Sequence, residues 1–261
     1  MTTANHLDIS SDGSVATIRL NRPERLNALN IDLVLDLAEA IRETLRRGHA
    51  RSILLSAAGK SFCSGADLMG SQRDIGQDVD SNMRDVFNPL ALLLRECPLP
   101  IVAAVQGAAA GAGASLALLC DFVVAGESAY FLQAFSNIGL VPDTGSSWLL
   151  THGLGPARAA ELMMLGERLP APTAAEWGLI HRCVSDESLP TESMALAQRL
   201  AARPTNTLKF IKRLIRQAPT NSLRDQMLLE QEYQAIVRNS EDAVEAKLAF
   251  KEKRAPVFKG R

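Results

Sequence analysis

The chain alternates between short runs that are apolar at almost every position and longer stretches whose apolar residues recur every three or four positions. Residues 52–56, 101–105 and 122–125 are of the first kind, too short for helices and rich in Ile, Leu, Val and Ala, so they read as buried strands. Residues 7–9 and 15–20 flank Asp12-Gly13, a dipeptide suited to a hairpin turn, and predict two antiparallel strands at the start. Residues 31–46 are of the second kind. They place Ile31, Val34, Leu35, Ala38, Ile41 and Leu45 on one side, with Asp36, Glu39, Arg42 and Glu43 mostly opposite, which predicts an amphipathic helix. A further helix is expected over 82–96, and the polar, glycine-containing residues 69–81 before it have no period and read as a loop beside the pocket.

In the second half, residues 129–132 lead into the loop QAFSNIGLVPDTGSS, Pro156 suits the first turn of a helix, and Thr173 is expected to cap a short one before an apolar strand at 179–184. From 188 onward the pattern is helical, over about 189–202, 205–217, 222–239 and 240–253. This predicts an α/β core over 1–187 and an α-helical region over 188–261. In that region Leu229, Tyr233, Ile236 and Val237 make an apolar stripe that needs a partner, and Lys209, Lys212, Arg213 and Arg216 make a basic face that reads as solvated.

Composition narrows the function class. With 261 residues, 47% of them hydrophobic, the chain can bury a large core. A net charge of -1 with dispersed basic residues gives no electrostatic footprint for nucleic acid or an anionic membrane, which leaves a small molecule or a protein as partner. The opening MTTANHLDIS has no apolar leader core, and Cys63, Cys97, Cys120 and Cys183 are widely spaced without a CxxC pair, so a cytoplasmic protein with free thiols is expected. His6, His49, His152 and His181 fall in no ligand spacing, so no metal site is expected.

The chemistry concentrates in GAAAGAGASLALLCDFVVAG, residues 107–126. Its order reads strand, glycine turn, helix, strand, with Gly111 and Gly113 where the helix begins, and the unpaired N–H groups there suit a negatively charged oxygen. A close helix-packing contact is the plainer use of the same glycines. A dinucleotide fingerprint fails because Leu116 stands where its third glycine belongs, and AGKS at 58–61 lacks the first glycine of a P-loop because Leu54 occupies that place. Asp121 interrupts the apolar run, so the stretch is no membrane span.

NRPERLNALN, SFCSGADL, GAGASLALLCD and AEWGLIHRCV together resemble the crotonase superfamily of enoyl-CoA hydratases and isomerases, over about residues 7–261. Within it, AFSNIGLVPDTGSSWLL and the ending EYQAIVRNSEDAVEAKLAFKEKRAPVF resemble the branch that rearranges ring-1,2-epoxyphenylacetyl-CoA. The resemblance implies an α/β fold, a crotonase-like ββα spiral core with two nearly perpendicular sheets, and an α-helical C-terminal trimerisation region that builds trimers or hexamers of two trimers.

It also implies a site. The oxygen of an acyl-CoA thioester would be held by the N–H groups of Ala66 and Ala112 beside Gly111. The nucleotide and pantetheine would run along Arg25, Leu26, Asn27 and Ala28 and along Ser64, Gly65, Asp67 and Leu68, with Phe135 at the acyl end. Phe250 and Lys253 would reach a neighbouring subunit's ligand. No cofactor is implied beyond the CoA carried by the substrate. Removing a proton beside a thioester builds an enolate, and one preorganised donor to its oxygen is typically worth about 3–4 kcal/mol.

The departures from the pattern decide the reaction. Hydratases of the superfamily carry two glutamates that grip the attacking water, and the matching positions here are Ser115 and Phe135. Moving one proton needs only one base. Asp143 is the carboxylate that remains in its loop, and the apolar neighbours Leu140, Val141 and Pro142 predict a raised pKa, with a helix cap near Gly145 as the alternative role. The expectation is a CoA-thioester isomerase with Asp143 as acid/base. An enoyl-CoA hydratase with unusual water activation is the alternative, and a non-catalytic acyl-CoA-binding protein is the alternative of another class.

Overall fold

The buried runs become the middle of a seven-stranded sheet in the computed structural model of the chain, which describes residues 2–4, 6–68 and 79–261. Strands β1 (Thr2–Ala4), β2 (Leu7–Asp12) and β3 (Val15–Leu20) pair antiparallel at one edge, and Asp12 faces Val15 across the expected turn. Helix α1 (Ile31–Arg47) is opened by the Asn30 side chain, which accepts from Leu33 N, and it crosses to β4 (Ser52–Ala57). Most of the loop expected at 69–81 lies outside the described residues. The next helix begins as Val79–Asn82, passes through a π-turn at Met83–Phe87 and continues as α2 (Asn88–Glu96).

The central stretch follows as β5 (Ile101–Val105), β6 (Ala108–Ala110), α3 (Ala112–Leu118) and β7 (Phe122–Gly126). Here the structure corrects the expected single glycine turn. Ala108–Ala110 is a strand that leaves the first sheet and pairs with β8 (Tyr130–Leu132), which in turn carries β9 (Arg168–Pro170). Between those two strands lie α4 (Ser146–Leu154) and α5 (Pro156–Ala160), and Pro156 stands at the start of α5 as expected. Pro170 rather than Thr173 precedes the short α6 (Ala171–Glu176), because Thr173 already lies inside it. The last strand, β10 (Arg182–Val184), is shorter than expected and completes the order β1-β2-β3-β4-β5-β7-β10, parallel from β3 onward.

The central strands are apolar on both sides because both faces of the sheet are covered. Ile53, Leu55, Ile101, Ala103, Val105, Val123 and Ala125 join the main core with α1, α2 and α3. Leu54, Val102, Ala104 and Val124 point the other way, onto Leu189, Ala197 and Ala201 of α7 (Leu189–Ala201). Helix α7 therefore covers the sheet, although it belongs to the helical 188–261 segment. Only α8 (Thr205–Gln217), α9 (Leu223–Val237) and α10 (Glu241–Lys251) extend beyond that layer. On α1 the buried stripe runs through Leu33, Leu37 and Ile41, and Leu35, which periodicity placed on the inner side, is 48% exposed.

The basic face of α8 is only partly solvated. Lys212 is buried, with Nζ donating to Leu99 O at 2.7 Å and lying 2.6 Å from Asp121 Oδ2, and Arg216 donates to Asp121 Oδ1 at 3.0 Å. Asp121 also accepts from Ile101 N at 2.8 Å, so the charge that interrupts the apolar run pins α8 to the start of β5.

Candidate active site

Two loops meet because three glycines let their backbones touch. The loop after β4 is threaded between two extended segments: Cys63 N donates to Ala108 O, Ala110 N to Cys63 O, Leu29 N to Gly65 O and Asp67 N to Leu29 O. Gly65 (φ +101) and Gly111 (φ +50, ψ -127) hold conformations that a side chain resists. A Cβ built on Gly111 would lie 4.0 Å from Gly65 Cα, and one built on Gly65 would lie 3.0 Å from Ala110 O. Gly113 is needed for space rather than for conformation, since its Cβ would fall 2.5 Å from Cys63 O and 2.6 Å from Cys63 Sγ.

These contacts leave particular donors unused. Gly111 N is bonded to Leu132 O, and Gly111 O accepts from Ala114 N and Ser115 N. The N–H groups of Ala66, Ala112 and Gly113 have no acceptor among the described residues. Helix α3 is only seven residues long, so what it supplies is first-turn N–H groups more than a macrodipole. Unused donors on each of two abutting loops, Ala66 on one and Ala112 and Gly113 on the other, can together hold a developing oxyanion.

The segment before α1 fixes the first loop. Asn27 is fully buried; its amide donates to Ala58 O and Ser61 O at 2.8 Å each and accepts from Arg22 N at 2.8 Å. This bonding holds Leu26 and Asn27 in the left-handed region, at φ 51 and 53. Arg22 donates to Ala28 O and to Asp67 Oδ2, forming an ion pair with little exposure. The side chains of Asn27 and Asp67, expected along CoA, are thus committed to the scaffold, and Ala28 is buried with them. Leu26 and Ser64 are half-buried, whereas Arg25 and Leu68 stay exposed beside the loops.

Asp143 sits in the loop that enters α4. Its main-chain O accepts from Ser146 N, but its carboxylate accepts from Thr144 Oγ1 at 2.9 Å, and no side chain caps α4. The capping role is therefore not filled by the carboxylate. Burial raises the Asp143 pKa above the ordinary carboxylate value, and the Thr144 hydrogen bond offsets part of the rise. The loop is tied to the glycine helix by Ser115 Oγ and Ser146 Oγ, which lie 2.5 Å apart and fully buried. Phe135 packs against Gly111, its Cζ 3.7 Å from the Cβ position. At Ser115 and Phe135, expected to stand where hydratases carry glutamates, the chain has a hydroxyl bonded to a hydroxyl and a phenyl ring.

The structure thus gathers Ala66, Gly65, Gly111, Ala112 and Phe135, with Asp143 joined through α4. Phe250 is 86% exposed on α10, and Lys253 follows that helix, so neither belongs to this cluster within one chain. Sequence reasoning passed over Arg22, Thr144 and Ser146, and it also passed over Gln133, a buried amide whose Oε1 has no partner among the described residues. Arg22 lay within NRPERLNALN, as does its acceptor Ala28 O, but its carboxylate partner Asp67 comes from the next loop. Among the described residues there is no group of three or more His, Cys, Asp or Glu placed to hold a metal, and no helix long and apolar enough to cross a membrane.

Residues 10–261 match the family model described as enoyl-CoA hydratase/isomerase. The chain is 44% identical, over 95% of both chains, to 1,2-epoxyphenylacetyl-CoA isomerase of Escherichia coli strain K12. It is 36% identical, over 96% of both, to trans-2-decenoyl-[acyl-carrier-protein] isomerase of Streptococcus mutans. The crystal structure of an enoyl-CoA hydratase from Polaromonas sp. JS666 superposes with a TM-score of 0.92 at 34% identity, covering 97% of this chain and 99% of that one.

Proposed function

The chain belongs to the enoyl-CoA hydratase/isomerase family, and we propose that within it this protein isomerises a CoA thioester by moving one proton, with Asp143 as the acid/base. The thioester oxygen sits between Ala66 N–H and Ala112 N–H. The Asp143 carboxylate takes a proton from the carbon beside the thioester, and the C–H electron pair moves onto the oxygen as an enolate held by the two donors. With a β,γ-double bond the charge extends to the γ carbon, which is protonated by the Asp143 carboxylic acid after its proton has exchanged with solvent, giving the conjugated thioester and the starting carboxylate. No cofactor or metal enters these steps.

The observation that carries this reading is the state of the carboxylates. Asp67 is neutralised by Arg22, whereas Asp143 is half-buried and bonded only to a hydroxyl among the described residues, so it keeps the basicity that proton abstraction requires. In D2O a β,γ-enoyl thioester is expected to give the conjugated isomer carrying deuterium at the γ carbon, read by mass spectrometry. Accumulation of the β-hydroxy thioester as the main product would replace this reading with hydration.

A gain of hydration is expected from restoring the missing carboxylates. Phe135→Glu combined with Ser115→Glu should raise crotonyl-CoA hydration above the parent, and the buried Ser115–Ser146 contact means that Ser146→Gly must accompany them to make room. Equal hydration by the folded triple variant and the parent would show that missing carboxylates are not what suppresses water addition.

The protein is also expected to be a homotrimer or a pair of trimers. No residue of α9 is buried within one chain, and Leu223, Met227, Leu228, Ile236 and Val244 lie exposed along α9 and α10. Light scattering should give three or six times the 28.2 kDa chain mass, and a single-chain mass at working concentration would contradict this.

A further inference from the structure

Two cavities meet at the opposite end of α3 from the glycine loops, and neither is lined by a residue of the proposed catalytic site. One, of about 390 Å³, is walled by apolar side chains that include Leu118, Phe122, Leu149, Leu208, Ile211 and Ile215. The other, of about 520 Å³, is lined by Arg95, Lys209, Lys212, Arg213 and Arg216. Arg95, Lys212 and Arg216 border both, so the apolar chamber opens onto the cations. Both volumes fall within about 300–1,000 Å³, the usual range of small-molecule pockets.

The charges here do not balance. Five cations face two carboxylates, Asp121 and Glu96. Both Asp121 oxygens are taken, one by Arg216 and the other by Lys212 and Ile101 N, while Glu96 lies exposed on the rim. Arg95, Lys209 and Arg213 make no ion pair among the described residues. Arg95 is nevertheless held in place, its guanidinium carbon 4.2 Å from the centre of the Trp148 ring, which stacks on His152 at 4.0 Å. Burial and the neighbouring Arg216 depress the Arg95 pKa below its ordinary value, and burial does the same to Lys212. Cations crowded together and partly desolvated are relieved when an anion joins them.

We propose that the joined cavities bind an amphiphilic anion, with a carboxylate or phosphate head among Arg95, Arg213 and Lys209 and an unbranched apolar tail in the chamber between α3, α4 and α8. Each half answers one part of such a ligand. The chamber offers a mainly apolar wall for a tail, with charged groups gathered toward the cleft side at Arg95, Lys212 and Arg216, and the cleft offers cations without enough counter-charge of its own. The site is separate from the one that handles the thioester.

The test is isothermal titration of the full-length, assembled protein with decanoate, decyl phosphate and decanol. One saturable site per chain is expected for the anions, with decanol at least about 10-fold weaker, because the charge-assisted hydrogen bonds to the head are absent. Tighter binding of decanoate would identify a carboxylate head and tighter binding of decyl phosphate a phosphate head; either supports the site. Arg95→Gln should weaken both anions about 10-fold and leave decanol unchanged. Ile215→Glu, at a position 68% exposed and therefore tolerant of charge, should weaken all three. Isomerase turnover should persist in both variants. Absence of saturable binding, parent-like affinity in both folded variants, or displacement of decanoate by acetyl-CoA would overturn the proposal, the last by placing the ligand in the thioester site.

Discussion

Asp143→Asn is expected to lower isomerase turnover by about two to four powers of ten while leaving thioester affinity nearly unchanged. Asn keeps the volume and can still accept from Thr144, so the substitution removes the basic carboxylate and little else. The donors of Ala66 and Ala112 are untouched, and substrate should still bind. The readout is solvent deuterium appearing at the α and γ carbons of an unsaturated acyl-CoA. Undiminished exchange by the folded variant would assign the base to another group.

The raised pKa of Asp143 gives this variant a second signature. Its ionised form is the base, so parent turnover should fall with pH at a value above the ordinary carboxylate pKa of about 3.9. For stability the sign is opposite to that of a salt-bridged acid. At neutral pH the ionised group is less well solvated in the folded chain than in the unfolded one, which costs stability. Below the ordinary pKa both states are protonated and the cost vanishes. Asp143→Asn should therefore melt slightly above the parent at neutral pH, with the difference shrinking as pH falls toward about 4. A variant that melts below the parent at neutral pH would mean the carboxylate stabilises its loop.

Gly113→Ala is expected to damage both stability and turnover. Helix propensity alone favours Ala by about 1 kcal/mol. The new Cβ, however, would lie 2.5 Å from a main-chain oxygen, 2.6 Å from Cys63 Sγ and 2.7 Å from Cys63 Cβ, inside the core where neither neighbour can swing away. Overpacking of this kind costs about 1–3 kcal/mol or more, so the steric effect wins. Relief would come from sliding α3 away from the Cys63 loop, which separates Ala112 N–H from Ala66 N–H. Loss of one such donor corresponds to about 100- to 1,000-fold in turnover. Gly153→Ala is the control, since its Cβ would meet Leu179 Cδ1 at 3.6 Å, an ordinary contact, and it should be neutral. Parent-like melting and turnover in Gly113→Ala would show that close packing of these loops is not what positions the donors.

The order of elements was legible because it rests on local rules. Strands 52–56 and 101–105 announce themselves by continuous apolar runs, and α1 by its period. The errors came where a local pattern served a distant partner. Ala108–Ala110 looked like the approach to a turn, and only pairing with Tyr130–Leu132 makes it a strand. The stripe on α8 looked like a solvated basic face, yet Lys212 is buried because Asp121, 91 positions earlier in the chain, lies against it.

For the site the division is similar. From the sequence alone came the residue types that the chemistry needs, glycines on two loops and a lone carboxylate in an apolar setting, and the family resemblance added Ser115 and Phe135 where hydratases carry glutamates. What those residues do depends on which backbones are brought within contact, and that was decided by tertiary structure. Gly65 meets Gly111 because Leu29 and Ala110 hold the loop between them, Asp67 is neutralised because Arg22 reaches it, and Asp143 keeps its basicity because its donor among the described residues is a hydroxyl. Burial and pairing determine whether a carboxylate is a counter-ion or a base, and both are properties of surroundings assembled from the whole chain rather than of any local run of residues.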